Sequence, residues 1–122
     1  MYSKEVMDHF QYPQNMGVIK DADAVGEAGN PACGDIMRIY LKISDNEVIE
    51  DIKFETLGCV AAIATSSMIT NLAKGKTLKE ANEIEFGDVK QALGTLPPIK
   101  VHCADLSVQA LRKAINKYRE AK

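Results

Sequence analysis

Residues 36–43 and 48–57 each alternate apolar and polar side chains, and the turn formers Ser44, Asp45, Asn46 and Glu47 lie between them. In the first run Met37, Ile39, Leu41 and Ile43 share one face, while Arg38 and Lys42 take the other. In the second, Ile52 and Phe54 point one way and Asp51, Lys53 and Glu55 the other. A period of two fits only a strand with one dry face and one wet face. Two such strands joined by a short turn form an antiparallel hairpin, and its apolar face needs a second layer.

The rest of the chain supplies that layer. Residues 4–12 read as a short helix with Val6, Met7 and Phe10 on one face, stopped by Pro13 and a turn-rich Gln14-Asn15-Met16-Gly17. Residues 25–28 add a third, edge strand. Residues 61–74 are helical in pattern and end at Gly75, suited to a left-handed cap. Thr77 and Glu80 have the spacing of a capping box for a short helix, and residues 86–93 form another, closed by Gly94. The longest helix is expected over 104–118, with Ala104, Val108, Leu111, Ile115 and Tyr118 on one stripe. Pro97-Pro98 forces an extended link just before His102-Cys103. The fold class is therefore α+β, one antiparallel sheet with helices on one face.

The 122 residues allow one domain, 1–122, with one core. A net charge of −2 with both signs interspersed argues against nucleic acid as the main partner. The first ten residues are amphipathic and carry acids, unlike a signal peptide or an Arg-rich transit sequence. No apolar run approaches the roughly 20 residues that span a bilayer, so no membrane partner is expected. The expected location is the cytoplasm. In that reducing compartment an odd number of cysteines favours thiolate chemistry over disulfides.

There are three cysteines, Cys33, Cys59 and Cys103, none in a C-x-x-C pair. Cys33 lies in a Gly/Pro loop, Asn30-Pro31-Ala32-Cys33-Gly34-Asp35, with Asp35 two residues on. Cys59 follows Gly58 where the second long strand gives way to a helix, and Cys103 follows His102 at the start of the last helix. Helix starts favour thiolates because their N–H groups lack partners. Three soft sulfurs, an imidazole and a hard carboxylate suit a soft transition metal or an iron–sulfur cluster. For any one cysteine the plain alternative is a small buried hydrophobe, but none of the three lies in an apolar stripe. Asp35 alone reads as a turn residue and His102 alone as a surface histidine; their neighbours assign both to the site. His9 has no such neighbour and reads as structural. The cations Arg112, Lys113, Lys117 and Arg119 complement the helix dipole, with partner docking as the sharper alternative.

A Cys–His hydrolase is disfavoured, since adjacent residues at a helix start rarely point at each other. There is no Gly-rich phosphate loop, no G-x-G-x-x-G and no H-E-x-x-H. Zinc on three cysteines and a histidine is a real competitor, although structural zinc sites usually show paired knuckles.

Four separated motifs resemble the IscU-type iron–sulfur cluster assembly scaffolds and the N-terminal domain of NifU along nearly the whole chain. They are Tyr12-Pro13-Gln14-Asn15-Met16-Gly17; Asn30-Pro31-Ala32-Cys33-Gly34-Asp35; Gly58-Cys59 with Ala61-Ala62-Ile63-Ala64-Thr65-Ser66-Ser67; and Leu96-Pro97-Pro98-Ile99-Lys100-Val101-His102-Cys103. The resemblance implies a three-stranded antiparallel sheet with helices on one face. It also implies a scaffold, not an enzyme with its own turnover, that builds a [2Fe–2S] cluster from iron and from sulfur supplied by a cysteine desulfurase. Cys33, Cys59 and Cys103, with Asp35 or His102 as fourth ligand, would hold iron and cluster, and the apo form would accept zinc. Cys103 is the expected persulfide acceptor, on an exposed Pro-tethered segment, with Cys33 second. Implied partners are the desulfurase, a ferredoxin-like electron donor, a frataxin-like protein and apo-protein recipients. Leu96, Pro97, Pro98, Ile99 and Lys100 resemble the segment this family presents to an Hsp70-type chaperone, with Ile99 where valine is more usual. A zinc-containing SufU-type branch carries an insertion and lacks the histidine before the last cysteine; His102 and the compact 65–97 stretch point to the IscU type. Val60 stands where the family usually has glycine, adding an apolar wall beside Cys59.

Overall fold

The computed structural model of the chain describes residues 2–30, 35–94 and 101–121, and the side chains of Asn30 and Asp35 lie outside that description. The elements run α1 (Lys4–Gln11), β1 (Ala24–Asn30), β2 (Asp35–Ile43), β3 (Ile49–Leu57), α2 (Val60–Ala73), α3 (Leu78–Asn82), α4 (Phe86–Leu93) and α5 (Val101–Glu120). The strands form one antiparallel sheet in the order β1-β2-β3. The hairpin closes at Ser44, whose carbonyl accepts from the Glu47 N–H and whose own N–H donates to Val48, with Glu47 at φ 59°.

The alternation does what the sequence predicts. Met37, Ile39, Leu41, Ile43, Ile52 and Phe54 are buried under α2 and α5. Their neighbours on β1 are all small, Ala24, Gly26 and Ala28, because α5 lies directly on that strand. A Cβ built on Gly26 would meet Ala110 O and Ala114 N of α5 at 2.3 Å. On the outer face Arg38 donates to Glu27 (2.9 and 2.7 Å) and approaches Glu55 (3.8 Å). Tyr40 is also outward, yet it is buried, with its O–H donating to Glu55. Exposed ion pairs of this kind contribute little, roughly 0.2–1 kcal/mol each.

The edge of β3 is closed by the segment after α1. Phe54 donates its N–H to Asn15 O (2.9 Å) and accepts from the Gly17 N–H (2.8 Å), with Asn15 in the left-handed region at φ 63°. The sequence reads this stretch as a turn, but it also serves as a surrogate strand. Polar side chains of α2 hold it: Ser67 Oγ accepts from the Gln14 N–H (2.9 Å), and Asn15 Nδ2 donates to Thr70 Oγ1 (3.1 Å). His9 meets the same Ser67 hydroxyl at 2.7 Å, in keeping with a structural role, and burial holds its pKa below the ordinary value, against the pull of Asp8.

Among the helices, the capping box of Thr77 and Glu80 is formed, and Gly75 (φ 84°) and Gly94 (φ 81°) end α2 and α4 as expected. One boundary differs. The last helix is already formed at Val101, three residues before the stripe from Ala104, so Val101, His102 and Cys103 lie in its first turn, in keeping with Cys103 at the helix start. A proline restricts its own backbone and that of the residue before it, and puts no bar on helix in the residues that follow.

Candidate functional site

Cys59 stands where β3 becomes α2. Leu57 ends the strand, and after Gly58 the chain reaches Cys59 as the N-cap, its backbone extended (φ −88°, ψ −175°) and its carbonyl accepting from the Ile63 N–H at 3.1 Å. Half-buried, Cys59 packs against the core at the start of α2, and helix starts favour an anion. Asp35 opens β2, and its backbone pairs with Asn30. Because Ile36 pairs with Leu57, the start of β2 and Cys59 lie at one end of the sheet. That placement follows from the hairpin register alone.

The other two candidates lie in the first turn of α5. His102 is exposed; Cys103 is fully buried, and its Sγ is 3.7 Å from His102 Nε2. Two expectations are corrected here. Cys103 is not on an exposed segment, because at this helical position it faces the core shared with Ala61 and Ala62 of α2. And the adjacent His102 and Cys103 do meet, the exposed ring lying back toward the sulfur. Among the described residues no three His, Cys, Asp or Glu side chains are grouped to hold a metal ion. Cys33, the carboxylate of Asp35 and the segment Leu96, Pro97, Pro98, Ile99 and Lys100 lie outside the described residues. No helix among them is long and apolar enough to cross a membrane.

Sequence reasoning missed an apolar lip at the same end of the sheet. Leu57 is 70% exposed and pairs with Ile36, and both line a shallow groove with Thr56, Glu27, Arg38 and Glu55. The signal was legible: an apolar residue ends each outward-facing polar row, Ile36 before Arg38 and Leu57 after Glu55.

Comparison with known proteins agrees with this layout. The family model described as the NifU-like N terminal domain matches residues 1–122. The iron–sulfur cluster assembly scaffold protein IscU 1 of Archaeoglobus fulgidus is 60% identical over 118 residues, covering 97% of this chain and 76% of that protein. The IscU scaffold of Escherichia coli K12 is 44% identical over 127 residues, covering 99% and 98%. A crystal structure of a protein assigned as the iron–sulfur cluster assembly scaffold for the SUF system of Fervidobacterium islandicum AW-1 superposes with a TM-score of 0.77 at 27% identity, covering 93% and 96%. The N-terminal part of a NifU-like protein from Brucella abortus shares the fold, with a TM-score of 0.76 at 19% identity over 98% and 95%. With the family model matching the whole chain and relatives 44–60% identical over nearly all of it, the chain belongs to the NifU-like N-terminal domain family, among the IscU-type iron–sulfur cluster assembly scaffolds.

Proposed function

We propose that this protein is a scaffold, with no turnover of its own, on which a [2Fe–2S] cluster is built and then handed to apo-proteins. The observation that carries the reading is the hairpin register, which puts the start of β2, with Asp35, and Cys59 at one end of the sheet. Cys33, Cys59 and Cys103 hold the cluster, with Asp35 or His102 as fourth ligand, and zinc occupies the same ligands in the apo form. Three thiolates bind cluster iron strongly, whereas a hard carboxylate or an imidazole in fourth place binds it less well, so the cargo stays exchangeable.

Assembly starts when a scaffold thiolate attacks the outer sulfur of a cysteine desulfurase's persulfide. The S–S bond breaks, the desulfurase leaves as thiolate, and the scaffold carries the persulfide. Cys103 is the first acceptor and Cys33 the second. Since Cys103 is buried in the first turn of α5, that turn opens before attack. Electrons from a ferredoxin-like donor reduce the persulfide to sulfide, with a frataxin-like protein assisting. The segment Leu96, Pro97, Pro98, Ile99 and Lys100 engages an Hsp70-type chaperone during release. The reaction is placed in the cytoplasm, where thiols stay reduced.

The test is anaerobic reconstitution with ferrous iron, cysteine and a catalytic amount of desulfurase. A [2Fe–2S] absorption spectrum that disappears as apo-ferredoxin matures supports the reading. A colourless protein that retains zinc and accumulates persulfide would replace it with a zinc-dependent sulfurtransferase. Within the reading, Asp35→Ala transfers its cluster more slowly; equal or faster release would remove Asp35 as the labile ligand.

A further inference from the structure

The sheet has one closed edge and one open edge. β3 is capped by Asn15 and Gly17, whereas among the described residues β1 pairs with β2 alone. Along the open edge runs a groove of about 460 Å³ between β1 and the flank of α5, lined by Glu27, Lys113, Asn116, Lys117 and Glu120. Glu27 is committed to Arg38 at 2.7 Å. Lys113 and Lys117 are exposed and have no ion-pair or hydrogen-bond partner among the described residues.

We propose that this edge is a docking site for an extended, acidic segment of a partner protein, which adds to the sheet as a fourth strand beside β1. A free strand edge supplies main-chain bonds to any extended chain, and side-chain charge selects among them. The spacing fits. Lys113 and Lys117 are one helical turn apart, about 6 Å along α5, and alternate residues of an added strand are spaced by about 6.6 Å. Acids of the incoming strand opposite Lys113 and Lys117 therefore face the two ammonium groups, while residues that face Glu27 or Glu120 must be neutral or basic. A second copy of the chain fits badly. Antiparallel pairing of β1 with itself about its centre sets Glu27 against Glu27 and brings the lysines of both copies to one seam, and like charges facing each other across strands oppose pairing. This inference does not depend on the cluster reading, since neither lysine is among the proposed ligands.

The experiment is titration of the ¹⁵N-labelled protein with an end-blocked heptapeptide alternating glutamate and threonine, followed by amide chemical shifts. The expected result is saturable shifts confined to β1 and to α5 around Lys113 and Lys117. Replacing both lysines with alanine should weaken binding about two- to thirtyfold, the range for two exposed ion pairs, and a peptide with glutamine for glutamate should lose a similar amount. Both lysines are exposed, so the double variant keeps its fold, which its unperturbed amide spectrum checks. The proposal is overturned by an absence of saturable shifts up to about millimolar peptide, by shifts centred elsewhere, or by equal binding of the glutamine peptide or of the double variant.

Discussion

Replacing Gly26 with alanine is the substitution whose cost the structure states most directly. The added Cβ would lie 2.3 Å from Ala110 O and Ala114 N and 2.9 Å from Ala114 Cα. Ordinary contact begins at 3.4 Å, so strand and helix must separate by about 1.1 Å (3.4 less 2.3), and every atom concerned is backbone that no rotamer change can move aside. Overpacking of a tight site costs about 1–3 kcal/mol, sometimes more. Against it stands a gain of up to about 1 kcal/mol, because alanine has less backbone freedom to lose on folding than glycine. The net expectation is a loss of about 2 kcal/mol. With an unfolding entropy of about 2.1 cal/mol/K per residue, this lowers Tm by about 8 °C for a chain of this length. Thermal unfolding of the metal-free protein followed by far-UV circular dichroism measures it. A Tm within about 2 °C of the parent would refute the claim that β1 and α5 are in backbone contact here.

Other substitutions test neighbouring arguments. Gly87, in the first turn of α4, has nothing within 4 Å of a built Cβ, so Gly87→Ala should stabilise by about 0.5–1 kcal/mol in urea unfolding. Gly75 is equally open but sits at φ 84°, so Gly75→Ala should instead destabilise by about 1 kcal/mol. His9 has a folded-state pKa below its ordinary 6.5, so the unfolded chain takes up the proton first. Its contribution is full above that value and declines as pH falls toward the folded pKa. His9→Asn should therefore lose less urea stability between about pH 7.5 and 5.5 than the parent, and an equal loss would exclude His9 as the titrating group. Pro98→Ala combined with Lys100→Ala should weaken binding of a cognate Hsp70 chaperone, read by fluorescence anisotropy, and leave cluster assembly rates unchanged.

Much of this architecture is legible because it depends on periodicity and punctuation. The alternation through Met37, Ile39 and Leu41 fixes which sheet face is dry, and Gly75, Thr77 and Gly94 mark the helix boundaries through chemistry acting within a few residues. What escaped depends on contacts between distant segments. Gly26 looks like a weak point in a strand until α5 is laid on it. Asn15 and Gly17 look like a turn until they bond to Phe54. The burial of Cys103 was hidden for the same reason: the prolines upstream suggested an exposed segment, whereas Cys103 lies in the core from the first turn of α5. In the site, Cys59 and the start of β2 converge through hairpin register, which a sequence carries in its turn; the α5 pair depends on helix packing, which it does not.

The composition of α2 sets which side of the site can move. This helix buries Ala61, Ala62, Ala64, Thr65, Ser66, Ser67, Ile69, Thr70 and Ala73, and it packs against α1, α4, α5 and β3. Packed on nearly every side through its own mostly small side chains, it works as an axle with no slack, and Cys59 is fixed to its end. His102 and Cys103 lie in the first turn of α5, the turn that must open if the buried Cys103 is to accept sulfur. Taking up and letting go of cargo should then resemble a vice with one fixed jaw. Amides of α2 should keep their hydrogen-exchange protection between empty and loaded protein, and the change should fall on the first turn of α5.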